Sequence, residues 1–188
     1  VDLANNFGNL VSRVAAMAHR YRGGRLAPVS GATPQLADRA EDVVRRYRAA
    51  MDEHQLHAGV AAAFDLIDAT NEFIARSEPW VLARSPDRHA ELDHALLEMA
   101  EAVRIAAVLL WPVMPASCAE ILRRMGQIGP ASELRFERDT AWAGGERQII
   151  KERPLWPRIE AASHAPGGAA ASRGTGDTMT SETEPAGA

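Results

Sequence analysis

The sequence is short of several things, and each shortage excludes a class of function. A single cysteine, Cys118, in 188 residues rules out an internal disulfide and a multi-cysteine metal site. It fits a reducing compartment, and the expected setting is the cytoplasm. Of 21 basic residues only Lys151 is a lysine, so lysine-based catalysis has one candidate. No apolar run approaches the roughly 18 residues needed to span a bilayer, and no membrane is expected as a partner. The start lacks a charged segment followed by an apolar one, so no signal peptide is read there. The first residue is Val rather than Met, as expected of a piece of something longer. Six histidines are scattered without an HExxH spacing. There is no GxxxxGK[ST] phosphate loop and no GxSxG elbow. Neither a metal site, nor a cofactor site, nor a catalytic centre is expected within these residues. The length allows one buried core but is too small for an ATP-using synthetic domain plus anything else.

What is abundant is alanine, with aromatics at only 5%. Small helix-forming side chains favour helices over sheet. The apolar periodicity predicts an all-α bundle of about five helices. The first runs over 2–22, with Leu3, Phe7, Leu10, Val14 and Met17 on one stripe, and stops at Gly23-Gly24. The second covers 34–54, with Pro34 in its first turn. The third covers 56–77 and stops before Pro79. The fourth covers 87–111, capped by Ser85 or Asp87. It is apolar nearly all round from Val103 onward, so it should be the central helix. The fifth covers 115–125. The acidic runs, including Glu98 to Glu101, read as solvated faces. Residues 1–130 are therefore expected as a helical domain. Residues 131–160 read as an extended segment, with a hairpin pairing 134–138 with 147–150. Residues 161–188 have almost nothing to bury and read as a disordered tail.

The net charge of −4 gives no global signature for nucleic acid, and no DNA partner is expected. The charge is unevenly spread. Residues 1–26 carry four Arg and one Asp, net +3, and no Glu. With Leu3 set at zero, the apolar stripe of the first helix lies within about 40° at 100° per residue, while Asn5, Asn9, Arg13 and Arg20 fall at about 200–280°. Asparagine is a poor helix former because its side chain competes for backbone hydrogen bonds, so two Asn one turn apart followed by Arg require a reason. Amides and guanidinium groups read base edges and grip phosphates. The same stripe also fits a plain exposed polar face.

Pro79-Trp80 is the second feature. A tryptophan directly after a helix-ending proline sits where the chain turns, so its ring can face solvent and stack an unpaired base. It can equally pack under the following loop. Asn71 lies in phase with Phe64, Ile67 and Ile74, and a buried Asn needs hydrogen-bond partners. Its expected job is to tie the third helix to the 78–82 turn.

Four stretches together resemble the C-terminal part of methionyl-tRNA synthetases: DLANNFGNLVSRV (2–14), NEFIARSEPWVLA (71–83), LLWPVMPASCAEILRRMG (109–126) and PLWPRIE (154–160). They occur in order over about residues 1–160. The resemblance implies a class I anticodon-binding helix bundle joined to a Rossmann-type catalytic domain, with 131–160 docking on that domain. It implies the anticodon loop of tRNA-Met (CAU) as partner. Carried over residue by residue, the implied contacts are Asn9, Arg13 and Trp80, with Asn5 beside them and Asn71, Pro79 and Arg20 in support. ATP, Mg and L-methionine are implied for a complete methionine–tRNA ligase. The HIGH-like, KMSKS-like and zinc-knuckle motifs of its catalytic part are absent from this sequence. The other reading is a helical protein-interaction scaffold without RNA recognition.

Overall fold

The computed structural model describes residues 3–127 and 129–156. The segment 161–188, read from the sequence as a disordered tail, lies outside the described residues. The all-α expectation holds. The helices are α1 (Asn9–Arg22), α2 (Ala37–Asp52), α3 (Leu56–Ser77), the single turn α4 (Pro79–Leu82), α5 (His89–Leu110), α6 (Pro115–Arg124) and the single turn α7 (Phe136–Asp139). A π-helical turn, Leu3–Gly8, leads directly into α1. The only pairing of strands among the described residues joins β1 (Arg25–Leu26) antiparallel to β2 (Arg147–Gln148).

The core forms where the apolar stripes of α1, α2 and α3 meet on α5. Phe7, Leu10, Val14, Val43, Leu66, Ile67, Ile74 and Leu96 are all essentially inaccessible. Helix α5 is the axis of the bundle, since every residue from Ala95 to Leu110 is buried. The apolar run from Val103 predicts this for its second half. The first half is the surprise, because it contains Glu98 and Glu101, only 2% and 0% exposed. They are not a solvated face.

Each of these acids is buried because it does the work of a missing partner. Glu98 Oε2 accepts the backbone N–H groups of Gln35 (2.7 Å) and Leu36 (2.8 Å). These precede α2, which has no side-chain cap of its own. A carboxylate from α5 thus satisfies donors that a helix start leaves orphaned. This explains why α2 begins at Ala37, with Pro34 in the loop before it. Nor do Ser85 and Asp87 cap α5. A 3₁₀ turn, Pro86–Arg88, leads into it without side-chain cap bonds.

Glu101 anchors the segment after α6. Its carboxylate accepts from Arg104 (2.7 and 3.1 Å), from Arg147, and from the Ala143 N–H (2.8 Å). Arg104 also donates to the carbonyls of Asp139 and Ala141. Burial by itself would raise the Glu101 carboxyl, yet the two guanidiniums and the N–H hold it below its usual value. The same burial lowers Arg147.

The hairpin expected between 134–138 and 147–150 does not form. Residues 136–139 make the helical turn α7, and 147–148 pair with 25–26 instead. The reason is at Gly24. With φ at 86°, a Cβ there would sit 2.8 Å from the Ile149 carbonyl. Only glycine lets the two backbones approach closely enough for Ile149 N–H to donate to the Gly24 carbonyl at 2.7 Å. Gly24 both follows the end of α1 and admits β2.

Candidate nucleic-acid interface

The π-helical turn and α1 present the polar stripe beside α3. Asn5, Asn6, Asn9, Ser12, Arg13 and Ala16 face Asp68, Asn71 and Glu72 across a groove of about 960 Å³. Asparagine's competition with the backbone is visible here. Asn9 Nδ2 donates to the Asn5 carbonyl at 2.7 Å, the acceptor that an α-helical N–H at position 9 would take. The wider π register of residues 3–8 coincides with that substitution.

The floor of the groove is a directional relay. Arg13 Nη1 donates to Asn71 Oδ1 (3.2 Å), Asn71 Nδ2 donates to Asn6 Oδ1 (2.8 Å), and Asn6 Nδ2 donates to Asp68 Oδ1 (2.6 Å). A cation heads the chain and a carboxylate ends it, so the amides are polarised in one sense and their orientation is fixed. Asn71 Nδ2 also donates to the Ile67 carbonyl at 3.2 Å. Asn71 therefore ties α3 to the first helix, not to the 78–82 turn. The turn was the nearer partner in sequence, but α1 supplies matching polar groups in space.

The relay leaves recognition groups unused. Arg13 keeps the donors it does not spend on Asn71. Asn9 Oδ1 accepts no hydrogen bond among the described residues, and Asn5 is exposed.

Trp80 sits where the chain reverses between α3 and α5. Glu78 closes α3 in the left-handed region (φ 43°, ψ 62°), which a non-glycine residue enters only at a cost of about 1–2 kcal/mol. The carbonyl of Glu78 then accepts from Val81 N–H (2.7 Å) and Leu82 N–H (3.2 Å). That reversal buries Pro79 and Leu82 and leaves Trp80 40% and Val81 37% exposed. The ring is not covered by the loop that follows.

The sequence-predicted residues fall into three places. Asn5, Asn9, Arg13 and Asn71 share the groove. Pro79 and Trp80 occupy the turn after α3, and Trp80 does not line the groove. Arg20 is exposed on α1, one turn beyond Ala16. Sequence reasoning missed Asn6, Ser12, Asp68 and Glu72. The available signal was the spacing of Asp68, Asn71 and Glu72 on one face of α3, opposite a helix rich in asparagine.

No group of three or more His, Cys, Asp or Glu among the described residues is placed to hold a metal ion. No helix among them is long and apolar enough to cross a membrane. Cys118 is fully buried and its thiol is pushed up to about 12 by that burial, which makes it inert as a nucleophile.

Comparison with known proteins bears on this arrangement. Residues 24–144 match the family model described as the anticodon binding domain of methionyl tRNA ligase. The methionine–tRNA ligase of Bacillus subtilis is 33% identical over 165 residues, covering 85% of this chain and 25% of that protein. That of Deinococcus radiodurans is 36% identical over 132 residues, covering 66% of this chain and 19% of that protein. In structure, the apo form of Mycobacterium tuberculosis methionyl-tRNA synthetase superposes with a TM-score of 0.74 at 29% identity, over 86% of this chain and 33% of that one. The chain thus spans about a quarter of the length of the Bacillus relative. The family model covers more than half of the chain and the bundle superposes on a solved relative, and the chain belongs to the family of methionyl-tRNA ligase anticodon-binding domains.

Proposed function

We propose that this chain recognises the CAU anticodon loop of tRNA-Met for a methionine–tRNA ligase, supporting ATP-dependent charging of that tRNA with methionine. The observation that carries the reading is the polarised Arg13–Asn71–Asn6–Asp68 relay, which orients the Arg13 guanidinium in a solvent-facing groove that Asn9 also lines. Unpaired loop bases are the RNA targets that such groups read, by edge hydrogen bonds and by stacking.

In this mechanism the loop bases unstack. One stacks on the exposed face of Trp80, which the buried Pro79 holds in place. The first anticodon base, C, sets its exocyclic amine against Asn9 Oδ1 and its ring acceptors against Arg13. Asn5 lines the entrance, and Asn71 orients Arg13. Arg20 adds attraction to the backbone one turn further along α1. The +3 segment 1–26 supplies the local field that the chain's net −4 lacks.

In this reading methionine, ATP and Mg would bind the catalytic domain of the same ligase. In the same reading, residues 131–160 dock on that domain, and Ala143 and Arg147 within them are held to Glu101 of α5.

The test is binding of the full chain to anticodon stem-loops that differ only in the first anticodon base. The CAU loop should bind more tightly than the others. Trp80→Ala should weaken it by about 1–3 kcal/mol, the worth of one base–aromatic stack, with little change in melting temperature. Equal binding of all loops would overturn the CAU reading, and binding of none would favour a protein-interaction scaffold.

A further inference from the structure

A second cleft, of about 310 Å³, opens between the end of α3, the loop before α2 and the start of α5. Its polar lining includes Arg76, Ser77, Gln35, Arg88 and His94. It lies beside Trp80 along the chain. Ser77 is three residues before Trp80 and Leu82, also in the lining, is two residues after it. We propose that this cleft holds a backbone phosphate of the RNA strand whose base stacks on Trp80. The inference rests on the anticodon-loop reading above and extends it from the bases to the backbone.

The charges decide the case. Two carboxylates, Glu91 and Glu98, also line the cleft and would repel an anion if left unpaired. Glu91 is paired with a cation, and Glu98 is engaged by backbone donors at one of its two oxygens. Glu98 is buried at 2% exposure. Its Oε2 accepts Gln35 and Leu36 N–H, while its Oε1 lies 2.9 Å from His94 Nε2 without a hydrogen bond to it. His94 Nε2 also faces the Thr33 carbonyl at 3.1 Å. With oxygens on both contacts, that nitrogen carries the hydrogen. Glu91 is held by Arg88 Nε and Nη2 (2.7–3.2 Å).

The donors are then what remains. Arg88 keeps Nη1 unspent on Glu91. Arg76 makes no hydrogen bond or ion pair among the described residues. Its guanidinium carbon lies 5.9 Å from the centroid of the Phe73 ring, which orients the planar group without consuming its N–H donors. Ser77 Oγ donates to the Phe73 carbonyl at 2.7 Å and so faces the cleft as an acceptor, leaving the guanidiniums as the anion's partners. A free, oriented guanidinium beside a second with an open N–H suits the oxygens of a phosphate.

A backbone contact carries no sequence information, and it releases counterions. Binding of the full chain to CAU and non-CAU stem-loops across a salt series therefore separates the two ideas. Arg76→Gln should weaken every loop by the same factor, about tenfold, the scale of one lost charge-assisted contact. It should make the slope of log affinity against log salt shallower by about 0.7, as for one single-strand phosphate. Arg76→Lys, which keeps the charge, should restore the slope. Unchanged affinity and slope in Arg76→Gln would overturn the phosphate cleft while leaving discrimination between loops intact. Loss of discrimination in the wild type, with the Arg76→Gln slope change present, would overturn the anticodon reading and leave the phosphate contact standing. No binding to any loop would overturn both.

Discussion

Two polar networks in this bundle each join arginine to a carboxylate, to opposite ends. In the groove between α1 and α3, Arg13, Asn71, Asn6 and Asp68 form an open chain at the surface. Beneath the segment after α6, Glu101, Arg104 and Arg147 form a closed cluster at 0–7% side-chain exposure. The closed cluster spends its groups on one another and on the carbonyls of Asp139 and Ala141. It has nothing left with which to bind a ligand. The open chain spends one contact per link and leaves donors and acceptors facing water. An arginine near a carboxylate does not by itself mark either a site or a strut. What distinguishes them is whether the hydrogen-bonding capacity is used up.

If the contrast is right, the two networks should break differently. The largest effect is expected at Glu101. Glu101→Ala leaves two buried guanidiniums without their counter-charge and should lower unfolding free energy by about 3–5 kcal/mol, measured by urea denaturation. Loop binding per folded molecule should stay as it was. A loss under 1 kcal/mol would show that the cluster is not closed. The network also gives a pH signature. Because the folded-state carboxyl of Glu101 is held below its usual value, its contribution is complete above the ordinary glutamate range. It should fade as pH falls through the lowered value. Stability of the wild type should therefore drop faster below about pH 4.5 than that of Glu101→Gln.

A smaller effect is expected at Asn71. Asn71→Ala removes the middle of the relay and should cost about 1 kcal/mol of stability, the net worth of a partly buried hydrogen bond. Its main consequence should be on discrimination between CAU and other loops, since Arg13 loses the group that orients it. If discrimination survives while stability falls by several kcal/mol, Asn71 is a strut and the contrast fails. The smallest effect belongs to a pair in neither network. Asp42 pairs on the α2 surface with Arg45 and Arg46, whose side chains are 73% and 40% exposed. Asp42→Asn should shift stability by no more than about 0.5 kcal/mol, within the error of the same denaturation experiment. This provides a baseline for the other two.

Much of this was legible in advance, and the misses share a cause. Helix α3 runs over 56–77 as its periodicity predicts, and α6 ends one residue early. Asn5, Asn9 and Arg13 share a face because 100° per residue places them there. The misreading of Glu98 and Glu101 arose because an acid on a helix reads as solvated unless its partners are known. Those partners are the N–H groups of residues 35 and 36 and the side chain of Arg147, 62 to 63 and 46 residues away. Asn71 was read toward the nearer turn for the same reason. The pairing of β2 with β1 depends on residues more than 120 positions apart, which no local pattern encodes.

The sequence by itself determined the helices, the stripe of asparagine and arginine on the first of them, and the proline that places a tryptophan at a turn. These follow from backbone sterics and the fixed geometry of the helix, which act over a few residues. Only the tertiary structure decided which polar groups have capacity to spare. Arg13 has open donors and Arg147 does not because hydrogen-bonding groups are satisfied by whatever the fold brings within about 3 Å, however distant in the chain.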